Sequence, residues 1–159
     1  MGKIIRIGKP QTLEKYEAGI RKAIPYHIRK SKSGDTVDSI MNTFKEGLNR
    51  LDKLNGVIID DDGKVTGFFI SRLDTEFFSN IDSQQNLPII FIEHLYCPNS
   101  IIEPLYKSIR KKFREEAGAT DLFMFTHRDP EAWIRFKEKF DGEHFEIYGY
   151  ILVDRLKED

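Results

Sequence analysis

A single cysteine, Cys97, in 159 residues excludes an internal disulfide framework and any zinc or iron–sulfur site built on several thiolates. Long apolar runs are missing too. The most hydrophobic stretch covers residues 88–92, far short of the ~20 residues a membrane-spanning helix needs. Residues 1–10 carry basic side chains but no apolar segment, so no secretory signal is expected. There is no Gly-rich phosphate loop and no dinucleotide fingerprint. The acidic run Asp60-Asp61-Asp62-Gly63 lacks the later Glu of a calcium loop and suits a solvated turn, so no metal is expected. Repeats, low-complexity tracts and Gly/Ser linkers are absent as well. One domain over residues 1–159 is therefore expected, cytoplasmic and away from membranes.

What is present suits a folded chain. Apolar residues make up 40%, and a chain of this length buries roughly 70% of its unfolded surface, enough for a core without staples. Charge is unevenly spread although the net value is −1. Residues 1–32 hold nine Lys/Arg against Glu14 and Glu17, a local +7 facing −8 in the remainder. Such a segment either folds back on the acidic remainder or docks an acidic partner. Nucleic acid is not the expected partner, because no aromatic ladder accompanies the charge.

Periodicity gives the elements. Residues 4–7 read as a first strand. Thr12 is placed to cap a helix carrying Leu13, Tyr16, Ile20 and Ile24, which Pro25 should end or kink, and residues 29–34 read as a loop. Asp35 is placed to cap a second helix through Val37, Ile40, Met41, Phe44, Leu48 and Leu51, stopped by Asn55-Gly56. Residues 57–59 and 65–71 form a hairpin whose Gly63 supplies a positive φ. A polar connection over 73–87 leads to residues 88–97, apolar on both faces and so a central strand. Counting by twos puts Phe91, Leu95 and Cys97 on one face, and Ile90, Ile92 and Tyr96 on the other, with Glu93 and His94 facing opposite ways. Ser100 and Glu103 form a capping box for a third helix, residues 122–126 a buried strand, Asp129-Pro130-Glu131 the start of a fourth helix, and residues 145–153 the last strand. The fold class is α/β, with a mixed, mostly antiparallel central sheet flanked by helices.

Several motifs in the second half carry a resemblance. Phe91-Ile92-Glu93-His94-Leu95-Tyr96-Cys97-Pro98 and the helix ending Arg114-Glu115-Glu116-Ala117-Gly118 resemble the fourth strand and third helix of the GNAT superfamily of acyl-CoA N-acyltransferases. Phe125-Thr126-His127-Arg128-Asp129-Pro130-Glu131-Ala132 and Tyr148-Gly149-Tyr150-Ile151-Leu152-Val153 are similar to its later blocks. The resemblance implies acetyl-CoA as acetyl donor and an amine, small molecule or protein, as acceptor. It implies that backbone groups of Leu95 and Cys97 orient the pantetheine arm, and that backbone N–H near Tyr96 stabilises the tetrahedral intermediate. It also implies that the N–H groups of Ser100, Ile101 and Ile102 receive the pyrophosphate. The glycines and basic residue usual in that phosphate loop are replaced here by Pro98-Asn99-Ser100-Ile101-Ile102-Glu103-Pro104, so the motif is degenerate.

The same resemblance implies cofactor contacts at Asp129, where the family usually has Asn, and at Phe136, the register position of a Tyr acid. Because Phe136 carries no phenol, Tyr148 is the expected acid, with Tyr150 as the other tyrosine of the last strand. Glu93 is the expected base, its pKa raised if it is buried without a partner. A basic neighbour would instead make it structural. His94 and His127 read as structural histidines, and Cys97 as a small buried hydrophobe. The row Lys107, Arg110, Lys111 and Arg114 reads as a solvated helix face that could also contact a cofactor phosphate. The competing functional expectation is a non-catalytic binding protein that docks a partner through residues 1–32.

Overall fold

The computed structural model describes residues 2–74, 89–97, 107, 111, 114, 115 and 121–124. All of these belong to one compact unit, residues 1–127, while the expected single domain extends past it to residues lying outside the described set. The described elements follow the order β1 (Lys3–Arg6), α1 (Pro10–Ser31), α2 (Val37–Glu46), β2 (Gly56–Ile59), β3 (Val65–Asp74), β4 (Ile89–Tyr96) and β5 (Asp121–Met124). They make a five-stranded sheet in the order β1-β2-β3-β4-β5. Pairing is antiparallel as far as β4, and β5 joins parallel to β4. The expected α/β class with a mixed, mostly antiparallel sheet is thus what the chain forms.

Helix α1 differs from the expectation at both ends. It starts at Pro10, whose fixed φ suits the first helical position, and Lys9 rather than Thr12 is its N-cap. Pro25 neither ends nor stops it. The ring is exposed, while Ile20, Ala23, Ile24 and His27 hold the inner face on the sheet. The helix therefore runs on to Ser31. It closes through Lys32 at φ 52°, whose N–H donates to the Ile28 carbonyl. Arg29 and Lys30 in its last turn complement the helix dipole.

Helix α2 is capped by Thr36, one residue after the expected Asp35. The Thr36 hydroxyl accepts from Ser39 N–H at 3.0 Å, and Ser39 Oγ returns the bond to Thr36 N–H. The helix ends at Glu46, well short of Asn55-Gly56. Consequently Leu51 is no core residue and stands 90% exposed, whereas Ile40, Met41 and Phe44 are buried as their spacing implied. One face of the sheet, with Val57, Ile59, Phe68 and Ile70, packs with Ile20 and Ile24 of α1 and with Ile40, Met41 and Phe44 of α2.

Asn55 is a buried strap rather than a helix stop. Its backbone carbonyl accepts from Ile7 N–H at 2.8 Å, its side-chain oxygen accepts from Ser71 N–H at 3.2 Å, and its amide nitrogen reaches the Thr43 carbonyl at 3.5 Å. The residue so joins the end of β1, β3 and α2. The hairpin between β2 and β3 is as expected: Gly63 sits at φ 77°, and Asp60 Oδ1 accepts from Asp62 and Lys64 N–H groups.

Strand β4 carries an extra residue. Ile70 pairs with His94 but the next residue, Ser71, pairs with Ile92, so Glu93 has no partner on β3 and forms a bulge. Phe68, the partner of Tyr96, and Ser71, the partner of Ile92, are an odd number of positions apart and lie on opposite faces. Ile92 and Tyr96 therefore do not share a face, contrary to the count by twos. Tyr96 and His94 belong to the α1 side. Among the described residues no helix is long and apolar enough to cross a membrane.

Replacing Asn55 with Ala removes the acceptor from the buried Ser71 N–H. Such an orphaned donor costs about 1–3 kcal/mol. Urea denaturation of Asn55→Ala should show a loss of that size with an unchanged m-value.

Candidate functional site

The chemistry-bearing residues of β4 directly follow the stretch that pairs with β5. Among the described residues that pairing covers 89–92 against 121–124. Strand β4 continues through Glu93, His94, Leu95 and Tyr96, which remain paired to β3 apart from the bulged Glu93.

Glu93 does not meet the premise of an unpartnered buried carboxylate. Its side chain is 25% exposed, and Oε1 lies 3.6 Å from Nε of Arg72 on β3. The bulge is the reason: an extra residue lifts the side chain out of the regular pleat toward the neighbouring strand's guanidinium. The basic neighbour that would make Glu93 structural is therefore present.

His94 belongs to a cluster that the sequence reading did not assemble. His27 of α1 and His94 are joined at 2.9 Å between Nε2 of the first and Nδ1 of the second. Nε2 of His94 faces Oδ2 of Asp35, in the loop between α1 and α2, at 3.8 Å. His27 is 6% exposed and wedged edge-on against Phe68, with ring centroids 5.3 Å apart, and against Tyr96. Lys30 Nζ lies over the Tyr96 ring at 5.8 Å. Burial pushes the pKa of His94 below the usual histidine value, with Asp35 and then Glu93 opposing it, so the ring is held neutral near pH 7. His27 was detectable in the sequence, for it falls three residues after Ile24 on the apolar stripe of α1. Asp35 was read as a cap and Arg72 was not singled out.

The other expected positions divide in two. Leu95 and Tyr96 are partly buried on β4, and Cys97, 7% exposed, lies just beyond it as the small buried residue its type suggested. Lys107, Lys111 and Arg114 are helical and exposed, and Lys111 Nζ stands 3.9 Å from Glu115. Ser100, Ile101, Ile102, Arg110, His127, Asp129, Phe136, Tyr148 and Tyr150 lie outside the described residues. Among the described residues no group of His, Cys, Asp and Glu has the arrangement of a metal site.

Solved structures share this architecture over their whole length. An aminoglycoside N-acetyltransferase, AAC(6')-Iy, in complex with a bisubstrate analogue of coenzyme A, superposes with a TM-score of 0.69 at 14% identity, covering 99% of both chains. The 6'-N-acetyltransferase AAC(6')-Ih from Acinetobacter baumannii gives 0.69 at 9% identity and 100% of both chains. An aminoglycoside acetyltransferase from an uncultured soil metagenomic sample, in complex with sisomicin, gives 0.63 at 15% identity, with 98% of this chain and 97% of that one covered. No protein-family model matches the chain, and no curated protein matches it by sequence. The chain has the GNAT fold.

Within the GNAT fold, the strand expected from residues 88–97 is β4, and its parallel neighbour is β5. The resemblance in the sequence therefore pointed to the right element. It did not reveal the bulge, nor the histidine from α1 that meets it.

The depressed pKa of His94 has a consequence for stability. Below the ordinary histidine value of about 6.5 the unfolded chain takes up a proton that the fold resists. This contribution is complete above that pH and is lost as pH falls through the lower folded value. Thermal melts from pH 7.5 to 5 should show a fall in Tm that is shallower in His94→Gln.

Proposed function

We propose that this chain is an acetyl-CoA-dependent N-acetyltransferase acting on a small-molecule amine. The observation that carries the reading is the GNAT fold, with Glu93 and His94 on β4 directly after the stretch that pairs parallel with β5. Structures of this fold include ones holding coenzyme A or a bisubstrate analogue. When bound, acetyl-CoA would supply an activated thioester carbonyl to the acceptor nitrogen.

The residues of β4 suit that partner. On the family resemblance, backbone groups of Leu95 and Cys97 would orient the pantetheine arm, and backbone N–H near Tyr96 would donate to the developing oxyanion. The pyrophosphate contacts of Ser100, Ile101 and Ile102, the cofactor contacts of Asp129 and Phe136, and the acid role of Tyr148 belong to this same proposal and rest on the family resemblance. Glu93 keeps a different role from the one its sequence context suggested. Beside Arg72, it attracts the positive charge of an incoming ammonium group rather than standing as a free base.

A non-catalytic binding reading retains one specific observation: Lys9, Lys15, Lys22, Arg29, Lys30 and Lys32 are all exposed. Among the described residues, Arg21 lies 3.2 Å from both Glu17 and Asp38. If this face docks an acidic partner, retention on heparin should be clear at low salt and fall steeply as salt rises. Elution without retention leaves the basic face to solvent.

Two measurements test the enzyme reading. Acetyl-CoA at about 100 times its dissociation constant should add about 2.7 kcal/mol and raise Tm. No shift at millimolar acetyl-CoA, with no heat of binding, ends the proposal. Glu93→Gln should raise KM for the amine about tenfold by weakening a charge-assisted contact, with kcat nearly unchanged. A hundredfold fall in kcat at constant KM would return the base role to Glu93.

A further inference from the structure

Between Ile24, the last buried aliphatic residue of α1, and Ile40, the first of α2, one side chain is buried, and it is His27. Tyr26, Arg29, Lys30 and Lys32 are exposed, while Ile28 and Val37 are only partly buried against the core. A segment anchored by one buried residue can open without disturbing the apolar stripes on either side of it. Here the anchor is titratable. His27 meets His94 of β4 at 2.9 Å, and Nε2 of His94 faces Oδ2 of Asp35, in the loop before α2, at 3.8 Å. The acetyl-transfer roles above use none of these three side chains.

The facing nitrogens limit how many protons the pair can hold. A nitrogen–nitrogen contact of 2.9 Å requires an N–H on one side and a lone pair on the other. In the neutral pair the Asp35 carboxylate selects the arrangement in which His94 carries its hydrogen on Nε2, so that Nε2–H of His27 donates to Nδ1 of His94. One added proton leaves the contact in place, with the bridging hydrogen on either ring. A second sets N–H against N–H, and the rings must part. Separated rings take both protons at the ordinary histidine value of about 6.5. Burial of the His94 ring, which Asp35 and then Glu93 oppose, makes even the first proton harder to place while the contact holds.

We propose that His27 and His94 form an acid-released latch, which holds the end of α1 and the α1–α2 loop on β4 near neutral pH and frees them as the pair is protonated. The device does not require that the chain transfer acetyl groups. The charged and titratable groups around the pair are Asp35 from the loop, Glu93 from β4 with Arg72 of β3 against it, and Lys30 of α1, whose Nζ lies over the Tyr96 ring at 5.8 Å. Asp38 of α2 is taken up by Arg21. Asp35 and Glu93 favour a charged pair, whereas Lys30 and Arg72 disfavour it. Because the parted state binds more protons, the latch is complete above about pH 6.5 and is lost as pH falls through the lower folded value of His94. Its release also breaks the contact of Lys30 with Tyr96 and opens the α1 side of β4 to solvent.

Amide hydrogen exchange on the full chain tests the latch. Between about pH 6.5 and 5, protection of the amides of residues 28–32, corrected for intrinsic exchange, should fall about tenfold per pH unit, the response to one proton taken up on opening. This opening should be indifferent to low urea. The amides of Ile24, Phe44 and Phe68 should stay at least about tenfold better protected and should lose protection as urea rises. In His94→Gln the side-chain oxygen accepts from His27 whether or not that ring is charged, and in His27→Leu the anchor is apolar, so both variants should lose the pH response. Wild-type protection of residues 28–32 that is constant with pH, or that changes only in step with the core and with the core's urea dependence, overturns the proposal and makes the pair a permanent tie. A pH response undiminished in either variant overturns it too. Should neither variant fold, the wild-type comparison of residues 28–32 with the core decides.

Discussion

Glu93 is one residue more than β3 can pair, and the arrangement of β4 follows from that excess. A bulge leaves a backbone unit outside the ladder and resets the alternation of side chains beyond it. Without it, His94 and Ile92 would share a face by simple alternation. With it, Ile92 goes to the face of Ser71, while His94 and Tyr96 go to the face of Ile70 and Phe68, where α1 lies. The bulge thus delivers a histidine to the underside of α1 and a carboxylate to Arg72. It does so next to Ile92, which pairs with Met124 of β5.

The helix beneath is built to receive that histidine. The inner stripe of α1 is aliphatic at Leu13, Ile20 and Ile24, and then turns polar at His27 without leaving the buried face. A buried imidazole must spend its hydrogen-bonding groups on partners or bear a desolvation cost. The 2.9 Å contact to His94 answers this requirement, and the edge-on packing against Phe68 fixes the ring. Continuation of the helix through Pro25 is what makes the meeting possible, because a helix ended there would not carry His27 over β4. Exposure of the proline ring is the physical condition for that continuation.

This explains which parts of the fold were legible in the sequence. Apolar spacing gave the inner faces of α1 and α2, since Ile20, Ile24, Ile40, Met41 and Phe44 obey a 3.6-residue period that packing reinforces. Turn chemistry gave the hairpin at Asp60 and Gly63, a local matter of hydrogen bonding and φ. Boundaries set by competition between local and tertiary terms were not legible. Thr12, Asp35 and Pro25 each carry a sound local signal, but Pro10, the Thr36–Ser39 box and the packing of His27 prevail over them. The site was legible as an element, not as a geometry. Glu93 and His94 stand in the motif that resembles the GNAT strand, yet nothing in an alternating pattern announces which residue will be left unpaired.

A carboxylate and an imidazole adjacent in sequence would ordinarily be separated by the strand itself, each facing its own layer. Here the separation is chemical instead. Glu93 lies against a cation, Arg72, while His94 is buried on the α1 side against His27, and that burial favours its neutral form. The two environments come from different elements, β3 and α1, and only the strand between them touches both. That is why the position of one extra residue in β4 matters more to the chemistry of this chain than the identity of either side chain alone.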